Sequence, residues 1–159
     1  MPTTAAQAKA STGAVVKTML QLATPSTRQM QVISWGYSID TPQAAAGIVE
    51  LLQTDVAATV TAHVASGLLS LDPNAPPSLL TLGTAATGYT ASGEGVPTAT
   101  RVLDAYLHDS GGTGASPANT YSYQFMPDER PVVAVSKFLR VRATMGTSTG
   151  MLCWVVWDE

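Results

Sequence analysis

A chain of 159 residues with a formal net charge of −3 is long enough for one self-sufficient core and carries no basic footprint for a nucleic-acid backbone. Only 12% of its residues are charged while 45% are hydrophobic, which excludes a disordered polyelectrolyte and implies a weakly charged surface that dissolves best when neighbours cover part of it. No run reaches the ~18 apolar residues of a membrane-spanning helix, and a single cysteine excludes an internal disulfide.

The opening stretch, MPTTAAQAKASTGA, lacks the apolar centre of a signal peptide, so synthesis in a cytoplasm without secretion is expected. Residues 1–13 read as an extended polar arm that leaves the body and contacts another chain, and residues 14–159 as one domain. In VVKTMLQLAT, Val16, Thr18, Leu20 and Leu22 alternate with Lys17, Met19 and Gln21, the period of a strand. A turn at TPSTRQ follows, with Pro25 presetting φ. MQVISWGYSID places Gln31, Ile33, Trp35, Tyr37 and Ile39 on one face, and Gly36 in its middle marks a bulge or a close backbone approach. After the loop TPQAAAG comes the strand IVELLQT.

Residues 55–66 carry two signals. Val56, Val60 and Val64 recur at a helical interval behind a possible Asp55 cap, yet the Thr and Val content favours a strand. A helical turn followed by a strand is the expectation. A Pro-rich connection with a short strand near Leu80 comes next. YTASGEGVPTATRVLDAYLHD reads as a hairpin with its tip at Ser92–Gly95 and a strand from Thr98 to Leu107. SGGTGASPANT, residues 110–120, reads as a Gly/Ser loop. YSYQFM is a strand, PDERP a turn, and VVAVSKFLRVRATM leads into a final hairpin whose second strand is LCWVVW. About eight strands with little helix give an all-β fold, a single antiparallel β-sandwich of jelly-roll type; an immunoglobulin-type sandwich is the alternative.

Few residues carry chemistry. His63 and His108 have no metal-ligand spacing to Cys or Asp and read as surface or edge residues. Asp72 in LDPNAPP reads as the start of a Pro turn, and Asp128 and Glu129 as neighbours in a turn that point apart. The Gly-rich run at 111–114 does not join a strand to a helix, so it is no phosphate cradle. Cys153, between Leu152 and Trp154, reads as a small buried hydrophobe. No catalytic residue, metal site or cofactor is expected. The candidates for an interface are Arg140 and Arg142, which share a strand face with Phe138, and Trp154 and Trp157, which lie three apart and so face opposite sides of the sheet. One tryptophan would fill the core and the other would need a cover from a neighbouring subunit. Tyr106, Tyr121 and Tyr123 are the rings a sugar could stack on if exposed.

KTMLQLATPST, VISWGYSID, VELLQTDVAATVT, LTLGTAATGYTASGEG, TATRVLDA and the closing FLRVRAT…CWVVW resemble small virion proteins encoded by tailed bacteriophages of actinobacteria. The resemblance spans most of residues 15–157 and contains no catalytic signature. It implies a β-sandwich capsid decoration, or cement, protein on the outer capsid surface of the virion. It further implies a homotrimer and the major capsid protein as partner, with no nucleic acid or membrane bound. A tail or baseplate component and a carbohydrate-binding attachment sandwich are the alternatives.

Overall fold

The computed structural model describes residues 9–10, 15–40, 45–108 and 120–159. Most of the 1–13 arm, part of the TPQAAAG loop and the Gly/Ser segment after residue 108 lie outside the described residues. Among the described residues eleven strands follow in chain order: β1 (Lys9–Ala10), β2 (Lys17–Ala23), β3 (Met30–Ile39), β4 (Gly47–Thr54), β5 (Thr59–Ala62), β6 (Gly88–Gly93), β7 (Thr100–His108), β8 (Thr120–Gln124), β9 (Val132–Val133), β10 (Phe138–Thr144) and β11 (Gly150–Asp158). They form two antiparallel sheets packed face to face. The first has the order β1-β11-β3-β8, with β9 also paired to β3; the second has the order β5-β6-β2-β10-β4-β7. This is the expected β-sandwich, with more strands than the roughly eight anticipated, in part because β1 and β9 are two-residue pieces that carry no periodicity.

The core lies between the sheets. Leu20, Leu22, Val49, Leu51, Leu139, Val141 and Ala143 from the second sheet meet Val32, Trp35, Tyr37, Ile39, Met151, Cys153 and Val155 from the first. Alternation along each strand places these residues inward. Two slips shift the pattern from its sequence reading. In β2 the pairing jumps from Leu20 to Thr18, so Met19 is an extra residue and Thr18 faces outward. In β3 the pairing jumps from Ser34 to Val32, which moves Gln31 and Ile33 off the core face and puts Met30 and Val32 on it.

Three local expectations are corrected. The last two strands form no hairpin: β10 pairs with β2 and β4, whereas β11 pairs with β1 and β3 in the other sheet. Residues 145–149 therefore connect one sheet to the other. Nor do β6 and β7 form a hairpin, since β6 pairs with β2 and β5 while β7 pairs with β4. In both places a Gly-containing turn signal is correct, but distant strands compete successfully for the edges. Residues 55–58 are a bend leading into β5, and the helical element, a single 3-10 turn at Ala65–Gly67, comes after that strand. Near Leu80 the expected strand is reduced to an isolated bridge between Leu82 and Thr87.

Lys9–Ala10 pair with Met151 and Gly150 of their own chain, so this part of the arm lies on the first sheet and not away from the body. Among the described residues no helix is long and apolar enough to cross a membrane.

Candidate interaction surface

Arg140 and Arg142 sit two residues apart on the outer face of the second sheet, as the alternation of β10 requires. Their surroundings differ. Arg140 is 1% exposed. Two connections, residues 55–58 from β4 to β5 and residues 94–99 from β6 to β7, cross this half of the face. The Arg140 guanidinium donates to the carbonyls of Glu94 (3.0 Å) and Val56, and its Nη1 lies 3.5 Å from the Glu94 carboxylate. Glu94 in turn accepts from the backbone N–H and the hydroxyl of Thr18. Beside them the Gln21 amide donates to Ala58 and Ala86 and accepts from the Ala58 N–H at 2.8 Å. Burial pushes the Arg140 guanidinium down from its ordinary value, and the Glu94 carboxylate opposes that shift. A buried cation survives here because its neighbours hold it on several sides. Arg140 is thus a buckle between sheet and crossovers, which removes it from the expected contact surface.

The 94–99 crossover is fastened at its far end by Asp55. Its carboxylate accepts from the Thr98 hydroxyl and from the N–H groups of Thr98 and Ala99, and these bonds, with Thr98 first, hold it down at about 2.

Arg142 lies in the uncovered half. Its Nε and Nη2 donate to Glu50 Oε2 at 3.1 and 3.0 Å, and the two side chains are 24% and 17% exposed. Cross-strand register places Arg142, Glu50 and Ala105 in one row, with Thr144, Ile48 and Leu107 in the next. Leu107 is 69% exposed and Val102 52%. Among the described residues nothing lies over this part of the sheet face, whose exposed side chains are largely apolar.

On the first sheet the two tryptophans separate as their spacing predicts. Trp157 packs against the core and donates its Nε1 to Glu159 Oε1 at 2.8 Å. Trp154 is directly opposite Gly36 on the outer face, half-buried. A side chain added at Gly36 would collide with the indole of Trp154 and the carbonyl of Tyr121. Gly36 and Tyr121 thus seat one side of the Trp154 ring, and the ring stays partly exposed. Gly36 is the close approach that its position in the strand suggested.

Tyr106 and Tyr121 turn into the sandwich and pack against each other at 4.4 Å between ring centroids, beside Tyr37 and Trp35, so neither is a free platform for a sugar. Asp104 of β7 accepts from Trp35 Nε1 and from the Tyr121 hydroxyl, both at 2.9 Å, and ties the two sheets together along this edge. Burial, then the Asp104 bond, pushes the Tyr121 phenol up to about 12. Tyr123 alone of the three is exposed, at 40%. His63 and His108 are buried, at 4% and 2%, and not at the surface. His63 stacks near Tyr89 and burial lowers its pKa. Cys153 is buried and burial raises its thiol pKa, the behaviour of an inert core residue. Asp72 starts the turn expected of it, accepting from the Asn74 and Ala75 N–H groups at 2.9 and 3.1 Å. Asp128 and Glu129 lie in a turn. The described residues hold no group of three metal-ligating side chains.

Comparison of the chain with protein-family models, curated proteins and solved structures returns no match.

One feature of the surface escaped the reading of the sequence. The connection from β5 to β6, residues 63–87, exposes Val64, Leu69, Leu71, Leu79 and Leu82, with Leu71 at 81%. Only Asp72 is charged between residues 64 and 82. The connection is nonetheless held in place. The Glu159 carboxylate accepts from the Ser78 hydroxyl and the Leu79 N–H, and Thr81 donates to the Ala23 carbonyl at 3.0 Å. The prolines at 73, 76 and 77 signalled a surface loop. The leucines between them were the available signal that this loop has something to touch.

Proposed function

We propose that the chain is a structural virion protein, a decoration (cement) protein that binds the outer surface of the major capsid lattice of a tailed bacteriophage and stabilises the head. The observation that carries this reading is the anchored, aliphatic 63–87 connection. Long irregular connections within compact domains are usually functional, and exposed apolar clusters mark contacts with other proteins. Burying five aliphatic side chains would contribute on the order of several kcal/mol, at roughly 25 cal/mol per Å² of apolar surface. The resemblance of the strand motifs to actinobacteriophage virion proteins supports the same reading, and a rigid sandwich with buckled crossovers suits a protein that reinforces a lattice. Homotrimeric assembly and a virion location belong to this proposal.

Purified protein added to heads that lack it tests the proposal by co-sedimentation and by imaging of the particles. The intact protein is expected on the capsid exterior. A Leu71→Asp, Leu79→Asp double variant, altered only at exposed positions, should keep its circular dichroism and lose binding. Label on the tail, or undiminished capsid binding by the double variant, would contradict the proposal.

A further inference from the structure

The open half of the second sheet is an interaction surface of a different kind from the 63–87 connection, and its chemistry points to a particular occupant. At its centre, one oppositely charged pair lies among Ile48, Ala105 and Leu107, with Val102 of the Arg140 row exposed at the sheet edge. Glu50 engages Arg142 through one oxygen only. Glu50 Oε1 and Arg142 Nη1 have no hydrogen-bond partner among the described residues. The patch has no net charge, so it attracts neither a polyanion nor a polycation. The hydrocarbon of a membrane would have to strip water from both charges without supplying partners for them.

We infer that this face binds the same face of a second copy of the chain. A two-fold contact is self-complementary: whatever one copy offers at position i the other meets at position j, and the reverse. Neighbouring charges of opposite sign satisfy that condition. Arg142 of one copy meets Glu50 of the other, giving a closed group of four alternating charges, and the exposed aliphatic side chains on either side exclude water from it. The rows around Arg142 and Leu107 accept this contact because, among the described residues, neither crossover lies over them. The row of Arg140, sealed by both crossovers, cannot. This pairing is that of the free protein, the trimer proposed above being its arrangement on the capsid, and its test needs no virion.

Sedimentation velocity over a concentration series is the experiment. The intact chain is expected to show a concentration-dependent component of twice the monomer mass. Arg142→Glu makes the pair doubly negative and Glu50→Arg makes it doubly positive. Each variant alone should associate at least tenfold more weakly, because its copies repel. An equimolar mixture of the two should restore association as a heterodimer, an outcome that a role for the pair within one chain does not produce. Leu107→Asp, at a solvent-exposed position that cannot unfold the core, should be monomeric with an unchanged melt. A monomer at every concentration, a mixture that fails to associate while both variants remain folded, or self-association indifferent to Leu107→Asp would each overturn the inference.

Discussion

Arg140 and Arg142 occupy the same face of the same strand, yet one is a fastening inside the molecule and the other is a surface group. The difference does not lie in β10. It comes from the two crossovers that pass over Arg140 and stop short of Arg142. A sheet face is therefore not a single environment. Where connections lie across it, a charged residue becomes structural and must be satisfied by backbone carbonyls and a counter-charge. Where they do not, the same residue type stays hydrated and available. The two tryptophans of β11 repeat the lesson across the thickness of a sheet, with Trp157 against the core and Trp154 laid over a glycine outside it.

The largest effect should come from breaking the sealed half. Arg140→Ala leaves the Glu94 carboxylate without its counter-charge and the Glu94 and Val56 carbonyls without their donor, and is expected to cost about 3–5 kcal/mol, the usual cost of removing one member of a buried pair. Urea denaturation measures it, and a loss below about 1 kcal/mol would show that the crossovers hold without the arginine. Next is Trp157→Ala. Trp157 is only partly buried, so the expected loss is about 2–3 kcal/mol, under the full range for a core aromatic. Trp154→Ala should cost less, since its contacts are on one side only. A reversal of that order in thermal melts would mean that the outer face contributes more than the core face.

Acid sharpens the comparison from another direction. The Asp55 carboxyl sits at about 2 in the folded chain, below its ordinary value of 3.8. A depressed carboxyl stabilises the fold fully above the ordinary value and loses that contribution as pH falls towards the folded one. Between pH 4 and 2 the 94–99 crossover should therefore loosen first. Protection of the Thr98 and Ala99 amides from exchange, relative to their intrinsic rate at each pH, should fall in this window, and Asp55→Asn should remove that pH dependence. The smallest effect belongs to Arg142→Ala. Its pair is partly hydrated, and the loss in monomer stability should stay within about 1 kcal/mol.

The fold class was legible because it depends on local period. Alternation in β2, β3 and β10 and the turn residues between strands suffice to read an all-β sandwich, and Cys153 declares itself by its apolar neighbours. The pairing of strands was not legible. Gly146 and Gly150 around the last turn, and Gly93 and Gly95 before β7, are what hairpins carry, but in this chain those residues bend connections between sheets or across one. The fate of Arg140 was hidden for the same reason. Its partners Val56 and Glu94 lie 84 and 46 residues away in sequence, and nothing within FLRVRAT separates it from Arg142. Trp154 was half legible: Gly36 announced a close approach, but the sequence does not say which side chain makes it. The exposed leucines of residues 63–87 were visible as residues. Their exposure follows only from the absence of a strand there, which the Pro-rich composition signals and the apolar content obscures.

The most direct test of the division between sealed and open halves is a pair of double-mutant cycles, Arg140 with Glu94 and Arg142 with Glu50, each read by urea denaturation of dilute protein. The sealed pair should show a coupling of about 2–3 kcal/mol and the open pair no more than about 1 kcal/mol. Equal couplings, or a stronger one for Arg142 with Glu50, would contradict the account.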